Sequence, residues 1–540
     1  MSAIKAIVYL PLDPEKAKEN NLPVKLPVLV EDLPRILDEN RIPLDVVLRG
    51  LESQYEVSKD EYYGSYYVFF LYEKFKLLLR EGDFEEAENV LQKAKSVLYD
   101  YRYHFYKGLL HKHKRELGEA EVEMRLAVSM REDFAPAYFE LANILREKGE
   151  IEDSLKFYEI ANEIDRDFLL PLFAKGDTLF QEGRFIEAMA EYQRVIERDP
   201  NFAEAYARLG VIHNQLQRFK EAEKYLRKAL ELSERDDVKL NLAYTLTKLG
   251  KLFEAFRILK ELYEKNPDDP LVANEYGLML KTLGLYEEAL EVFERAASTH
   301  REEEILKFNY GVLLLHFDKE RAVEVLSEVT GDLEERAQHL VELAQVKFVP
   351  VLFPEHEWVT DYLANGRLDM VALARDLNSS IEEVQKRIER IREGEFPFYE
   401  TDVDSSEFAE IVVALAFSSP DLFKVEENVV KFLSAVYGNS AMIAAGIAFV
   451  RLVQELLLAE ELDFGSFLKR VVPEVQDVNW SFALKVARFR DLKKLDVGRF
   501  TDLVIALLQS LEVGAPVLED KELAAIFDEL KKLRGRCDDV

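Results

Sequence analysis

Three histidines, His104, His111 and His113, lie close enough together to raise the question of metal binding or proton transfer. His104 and His111 stand seven residues apart, which puts them on one face of a helix. Both occupy places that a repeat described below uses for packing, so they read as packing residues. His356-Glu357 is not followed by a second histidine at the spacing that a zinc hydrolase helix needs. Cys537 is the one cysteine, so no thiolate pair for a metal and no internal disulfide exist. The acidic pairs Glu85-Glu86 and Glu287-Glu288 stand where helices begin, and the helix dipole and solvent account for carboxylates there. No phosphate loop of the Gly-Lys-Ser/Thr kind occurs, and no dinucleotide glycine fingerprint follows a strand. The residues therefore point away from an enzyme, with no catalytic residue, cofactor or metal expected.

What remains to be positioned is surface. The 540-residue chain is 48% hydrophobic and 32% charged, enough to bury a large apolar area and stay soluble. Its formal net charge of −32 repels nucleic acid and anionic lipid over most of the surface. The most apolar late stretch, 440–459, contains Arg451 and Glu455, which suits a buried helix better than a membrane span. The N-terminus shows no signal-peptide pattern, and the single cysteine fits a reducing compartment, so a cytoplasmic location is expected.

A period organises the middle of the chain. Ala222 is preceded by Ala188 and Ser154 at steps of 34 and followed by Ala255 and Ala289 at steps of 33 and 34. Twelve residues before each of these sits another small residue: Ala142, Gly176, Gly210, Ala243 and Gly277. Two helices that cross closely need small residues at the crossing. Seven residues after each comes Ala161, Val195, Ala229, Leu262 or Ala296, facing the next unit. Gly82, Gly149, Gly183, Gly250 and Gly284 fall where the first helix must end in a left-handed residue. Pro200 and Pro267 end second helices. A period near 34 means stacked helix pairs.

This pattern resembles the tetratricopeptide repeat, most strongly over 135–301, and about eight units are expected over 68–333. The resemblance implies an all-α, right-handed solenoid whose first helices line a concave groove for a peptide or helix of a protein partner. Carried over unit by unit, its inward positions include Phe105, Phe139, Phe173 and Asn274, then Asn143, Asp177 and Tyr244 one turn on, then Arg146 and Asn214. The family's clamp for a C-terminal carboxylate needs Lys where Phe139 stands, although Asn143 is kept. The groove therefore suits an apolar or aromatic segment, unless its rings pack within the array or against the chain's own N-terminal segment.

Residues 1–67 are expected to cap the array, with a short strand over 6–10 and a weakly alternating run over 24–30. Residues 334–400 form a connector in which 368–391 resembles a helix-turn-helix. Residues 401–540 form a C-terminal helical domain of about six helices, with breaks at 418–420, 437–439, Gly465, Pro473 and 514–516. The leading reading is a non-enzymatic interaction scaffold of open oligomeric state. A regulator contacting nucleic acid through 368–391 or the basic run 485–499 comes second, and an enzyme with an unrecognised C-terminal site third. The supposed reading helix opens Ile381-Glu382-Glu383, which faces phosphates badly. The intact protein is accordingly expected not to retain duplex DNA at physiological salt in a filter-binding assay. Retention that is salt-sensitive and lost with Arg387→Ala would promote the regulator.

Overall fold

The computed structural model describes residues 7–11, 25–29, 43–345, 363–364, 367–368, 422–436, 440–458, 462–493, 495, 499–513, 516–518 and 521–531. These fall in two compact units, Met1–Ala205 and Tyr206–Val540.

The first unit opens with β1 (Ile7–Pro11) antiparallel to β2 (Lys25–Leu29), Ile7 opposite Leu29. The strand expected near 6–10 is β1, and the alternating run after it is β2. Helix α1 (Leu44–Ser58) lies beside β1 and buries Val47 and Leu51. Four helix pairs follow: α2 (Glu61–Glu81) with α3 (Phe84–Val97), α4 (Tyr101–His113) with α5 (Leu117–Met130), α6 (Ala135–Glu147) with α7 (Ile151–Ile164), and α8 (Leu170–Gln181) with α9 (Phe185–Arg198). Helix α2 starts at Glu61, capped by the Asp60 carboxylate, which accepts from the Tyr62 N–H at 2.8 Å. The first pair thus begins before residue 68.

Helix α10 (Ala203–Gln215) spans the division. The second unit continues with α11 (Phe219–Leu232) and the pairs α12 (Asp236–Lys248) with α13 (Leu252–Lys265), α14 (Pro270–Thr282) with α15 (Tyr286–Thr299), and α16 (Glu304–Leu314) with α17 (Lys319–Ser327). Eight pairs therefore run from α2 to α17, all-α as expected, and α18 (Glu334–Gln345) packs on the last.

The turns inside the first seven pairs are left-handed, with φ between +71° and +82° at Gly82, Gly149, Gly183, Gly250 and Gly284. Arg115 and Gln217 hold the same place at φ +64° and +58°. A side chain there costs about 1–2 kcal/mol, so the turn is imposed by the packing of the helices it joins.

That packing has a recurrent form. A Cβ on Gly176 would stand 2.7 Å from the Tyr192 ring, one on Gly210 2.5 Å from Leu226, and one on Gly277 2.6 Å from the Phe293 ring. In each pair the large side chain comes sixteen residues after the small one and lies across it. The last pair is one residue short, and Gly311 meets Leu326 in the same way, at 2.7 Å. Ala188, Ala222, Ala255 and Ala289, the small residues of the second helices, are fully buried.

Residues 363–364 pair with 367–368 in a two-residue ladder, β3 (Leu363–Ala364) with β4 (Arg367–Leu368). Leu368, expected to open a helical hairpin, is in this ladder, and 369–391 lies outside the described residues. Six C-terminal helices are described: α19 (Leu422–Val436), α20 (Ser440–Leu458), α21 (Phe464–Val478), α22 (Trp480–Ala487), α23 (Phe500–Val513) and α24 (Lys521–Lys531). Pro473 does not break the chain as expected. It sits inside α21, where buried Val471, Val475 and Val478 hold the helix on the core despite one lost ladder bond. The break falls at Asn479, whose side chain accepts from the Phe482 N–H at 2.9 Å. Gly465 lies in the first turn of α21, donating its N–H to Asp463. No helix among the described residues is long and apolar enough to cross a membrane.

The close crossing predicts a coupled defect. Gly210→Ala should destabilise by about 1–3 kcal/mol through overpacking and should cost less when Leu226 is already Ala. Urea denaturation of the two single variants and the double variant measures this. Equal costs in both backgrounds would mean that Leu226 is not what Gly210 makes room for.

Candidate functional site

In the first unit the first-helix rings form a ladder tied into the array. Phe105 packs on Phe134 with centroids 5.2 Å apart, Phe139 on Phe168 at 5.3 Å, and Phe173 on Phe202 at 5.3 Å. Each partner comes 29 residues later, at the entry to the next unit. Phe139 and Phe173 also meet the second-helix tyrosines of their own units, Tyr158 at 5.9 Å and Tyr192 at 5.5 Å. The three rungs are half-buried: one side is engaged and part of each ring reaches solvent.

The polar positions one turn on are held by the same tyrosines. The Tyr158 hydroxyl donates to Asn143 Oδ1 at 2.6 Å, and the Tyr192 hydroxyl donates to Asp177 Oδ1 at 2.5 Å. Burial pushes the Tyr158 phenol above its ordinary range, and the charge of Arg146 pulls it the other way. Arg146 Nε is buried with no hydrogen-bond partner among the described residues. Between the second helices, Glu159 is held down to about 2 by Arg194 and Lys175 against the opposing effect of burial. This ties α7, α8 and α9 together without offering a ligand anything free.

His104 and His111 are engaged within the fold. His104 is buried, with Nδ1 2.6 Å from Glu123 and Nε2 2.8 Å from the Tyr99 hydroxyl. His111 Nδ1 lies 2.6 Å from Glu116. No group of His, Cys, Asp and Glu among the described residues could hold a metal ion.

The expected groove residues of the second unit have a different setting. Asn214 is buried and accepts from the Thr245 hydroxyl at 3.0 Å, and Asn274 accepts from Asn309 Nδ2 at 2.8 Å. Tyr244, Leu278 and Val312 line a cavity of about 180 Å³ whose other wall is α19, α20 and α21. Here the C-terminal helices cover the first-helix face. Leu226–Val341 and Phe423–Leu530 share one continuous apolar core. Trp480 packs on Phe219, with centroids 5.4 Å apart. The turns fit closely: a Cβ on Gly250 would stand 2.3 Å from Ser440 Oγ, and one on Gly284 3.2 Å from the Lys431 backbone.

A buried ionic cluster crosses this contact. Arg451 pairs with Glu426 and Glu474, each at 2.8 Å. Lys281 of α14 reaches Glu426 at 3.3 Å, and Lys431 reaches Glu287 at 3.6 Å and Glu427 at 2.7 Å. Burial would raise Glu426, but Arg451 and Lys281 hold it down to about 2. Burial and the nearby Glu426 push the Tyr286 phenol well above its usual range. Reading the sequence missed this cluster. Its one local trace is the pair Arg451 and Glu455, one turn apart inside an otherwise apolar helix. The basic run 485–499 is partly neutralised: Lys485 pairs with Asp502 at 2.8 Å, and Arg490 pairs with Glu512.

Residues 135–168, 173–237 and 240–304 match family models described as Tetratricopeptide repeat. Among curated proteins the chain is 27% identical over 169 residues to Protein CTR9 homolog of Arabidopsis thaliana, covering 30% of this chain and 16% of that protein. It is 25% identical over 274 residues to human Protein O-mannosyl-transferase TMTC3, covering 47% of this chain and 30% of that one. It is 26% identical over 155 residues to BBSome complex member BBS4 of Bos taurus, covering 29% and 30%. The chain spans less than a third of the length of these relatives. Among solved structures, a tetratricopeptide repeat protein from Parabacteroides merdae aligns at 22% identity over 45% of this chain and 98% of that one, with a TM-score of 0.37. YrrB, described as a TPR protein with an unusual peptide-binding site, aligns at 25% identity over 34% and 97%, with a TM-score of 0.30.

The ionic cluster generates a pH prediction. Glu426 is depressed in the folded state from 4.5 to about 2. Its contribution is therefore complete above about pH 4.5 and lost as the pH falls towards 2. Glu426→Gln should cost about 3–5 kcal/mol at neutral pH, because it leaves Arg451 undercompensated. The difference in urea midpoint between the two proteins should shrink in that acid window. A difference that stays constant down to the acid unfolding limit would mean that Glu426 is not ionised in its folded setting.

Proposed function

We propose that this chain, a tetratricopeptide repeat protein, is a non-enzymatic interaction scaffold that takes an apolar or aromatic peptide segment of a protein partner on the first-helix face of residues 101–181. The carrying observation is the ladder of Phe105, Phe139 and Phe173, three equivalent rings held from one side and half-exposed on the other. Rings braced in this way lose little conformational freedom on binding, which is what an aromatic anchor needs. Arg146, one further turn on and partly exposed, would turn its guanidinium to a carbonyl or carboxylate of the ligand. Asn143 and Asp177, positioned one turn on by Tyr158 and Tyr192, would meet its backbone or basic groups.

Tyr244, Asn214 and Asn274 are not part of this peptide site in our reading, because the C-terminal helices or neighbouring side chains engage the face they stand on. The regulator reading draws little support from 485–499, where Lys485 and Arg490 are paired with carboxylates of α23. We place the protein in the cytoplasm.

A peptide display library panned on the full chain tests this. It should return segments with two apolar or aromatic side chains about one or two turns apart. Replacing Phe139 and Phe173 together by Ala should weaken the selected peptides by about 2–4 kcal/mol, with a smaller loss of thermal stability, since each ring also packs on its neighbours. A large fall in melting temperature with unchanged affinity would make the rings core and remove the site.

A further inference from the structure

The cavity of the second unit lies where α12, α14, α16 and α18 face α19, α20 and α21. Its volume of about 180 Å³ is far too small for a peptide helix. It is comparable to an engineered cavity of about 150 Å³ that holds benzene. One side is apolar, made by Leu278, Met279, Val312, Val430, Ile447 and Val478. The polar lining is unbalanced: Lys248, Lys281, Arg336, Arg451 and Arg470 against Glu275, Glu426 and Glu474. Five cations against three carboxylates is a local reversal of sign in a chain of net charge −32.

Much of that charge is fixed by the protein itself. Arg451 is bound by Glu426 and Glu474, Lys281 also leans on Glu426, and Arg470 pairs with Glu455 at 2.6 Å. Arg336 differs from these. It is exposed, it lies over the Phe308 ring at 5.2 Å, and among the described residues it has no carboxylate partner. A guanidinium held by an aromatic face at the edge of an amphipathic cavity is suited to a planar anionic head group.

From this arrangement we propose that the cavity is a binding site for a small organic anion: a carboxylate on a short aliphatic or aromatic body of about six to ten non-hydrogen atoms. The body lies against Leu278, Val312 and Ile447, and the carboxylate takes the excess positive charge on the Arg336 side. The cavity wall comes from both the repeats and the C-terminal helices, so an occupant binds the closed arrangement and stabilises it. This site is separate from the peptide face of residues 101–181, and its test does not depend on that reading.

The test uses the full chain with hexanoate and benzoate as probes and hexanamide and benzamide as neutral controls of the same shape, followed by calorimetry and thermal melting. The carboxylates should bind and raise the melting temperature, at least about tenfold tighter than the matched amides. Val312→Phe fills the cavity and should abolish binding of both carboxylates. Arg336→Gln, at an exposed position that the fold does not need, should weaken the carboxylates by about three- to tenfold and leave the amides unchanged. Equal binding of acid and amide overturns the proposal, as does affinity unaffected by both substitutions. The absence of any heat or melting shift with either carboxylate up to about 10 mM, a range that ligands of this size reach, also overturns it.

Discussion

Five of the helix pairs share one contact: a large side chain of the second helix laid across a glycine of the first. Tyr192 lies over Gly176, Leu226 over Gly210, Phe293 over Gly277 and Leu326 over Gly311. A glycine inside a helix costs about 1 kcal/mol relative to alanine. Burying a large ring or a leucine in the space it leaves returns about 1.5–3 kcal/mol. The exchange is favourable only if the helices approach closely, so the contact fixes the crossing. In seven of the eight pairs the turn is left-handed, even at Arg115 and Gln217, where no glycine eases it. Repetition of this crossing gives a series of similar faces, and those faces are what the protein has to work with.

The same side chains that build the fold also position the proposed peptide face. Tyr192 covers Gly176, packs on Phe173 and donates to Asp177. Tyr158 packs on Phe139 and donates to Asn143. A ring and a polar group on the first helix are thus both positioned by one second-helix tyrosine. Groove and core are coupled through it, and a change at Phe139 or Phe173 is felt on both sides. Arg146 joins the same set through its charge, which acts on the Tyr158 phenol, although its buried Nε has no hydrogen-bond partner among the described residues.

How far the sequence carried this picture follows from the range of the interactions. The period, the pair count, the turn glycines and the buried alanines were all legible, because each pair's contact spans about sixteen residues and recurs. The β1–β2 pairing was half legible, as a strand and an alternating run with no register. The role of Pro473 was misread, because local stop signals carry no information about the core that holds α21 in place. The covering of the second unit's groove was not legible at all. Lys281 meets Glu426 and Gly250 meets Ser440 across 145 and 190 residues of sequence, and no periodic signal marks such pairs. The residue types did carry a trace. The ring position reads Phe105, Phe139, Phe173 and then Ala207, Leu240, Asn274. The run of half-buried rings ends there, and the ring that returns at the next equivalent position, Phe308, is buried and lines the cavity.

The buried ions raise a separate question, because a buried pair is not in itself a source of stability. Apolar residues of similar volume in place of Glu426, Arg451 and Glu474 could well give an equally stable or more stable core. What they could not give is alignment. The C-terminal helices meet the repeats through a broad apolar surface, and an apolar surface tolerates sliding by a turn at modest cost. Lys281 and Glu287 stand one turn of chain on either side of Gly284, and their partners Glu426 and Lys431 stand five residues apart on α19. A one-turn slip of the C-terminal helices would part Lys281 from Glu426 and Lys431 from Glu287, leaving the buried Glu426 with Arg451 alone. The cluster therefore acts as a register key: the apolar core supplies the association, and the ions select which of the available alignments is occupied. That selected alignment is also the one that closes the cavity wall, while the excess positive charge facing the cavity rests on Arg336, which takes no part in the lock.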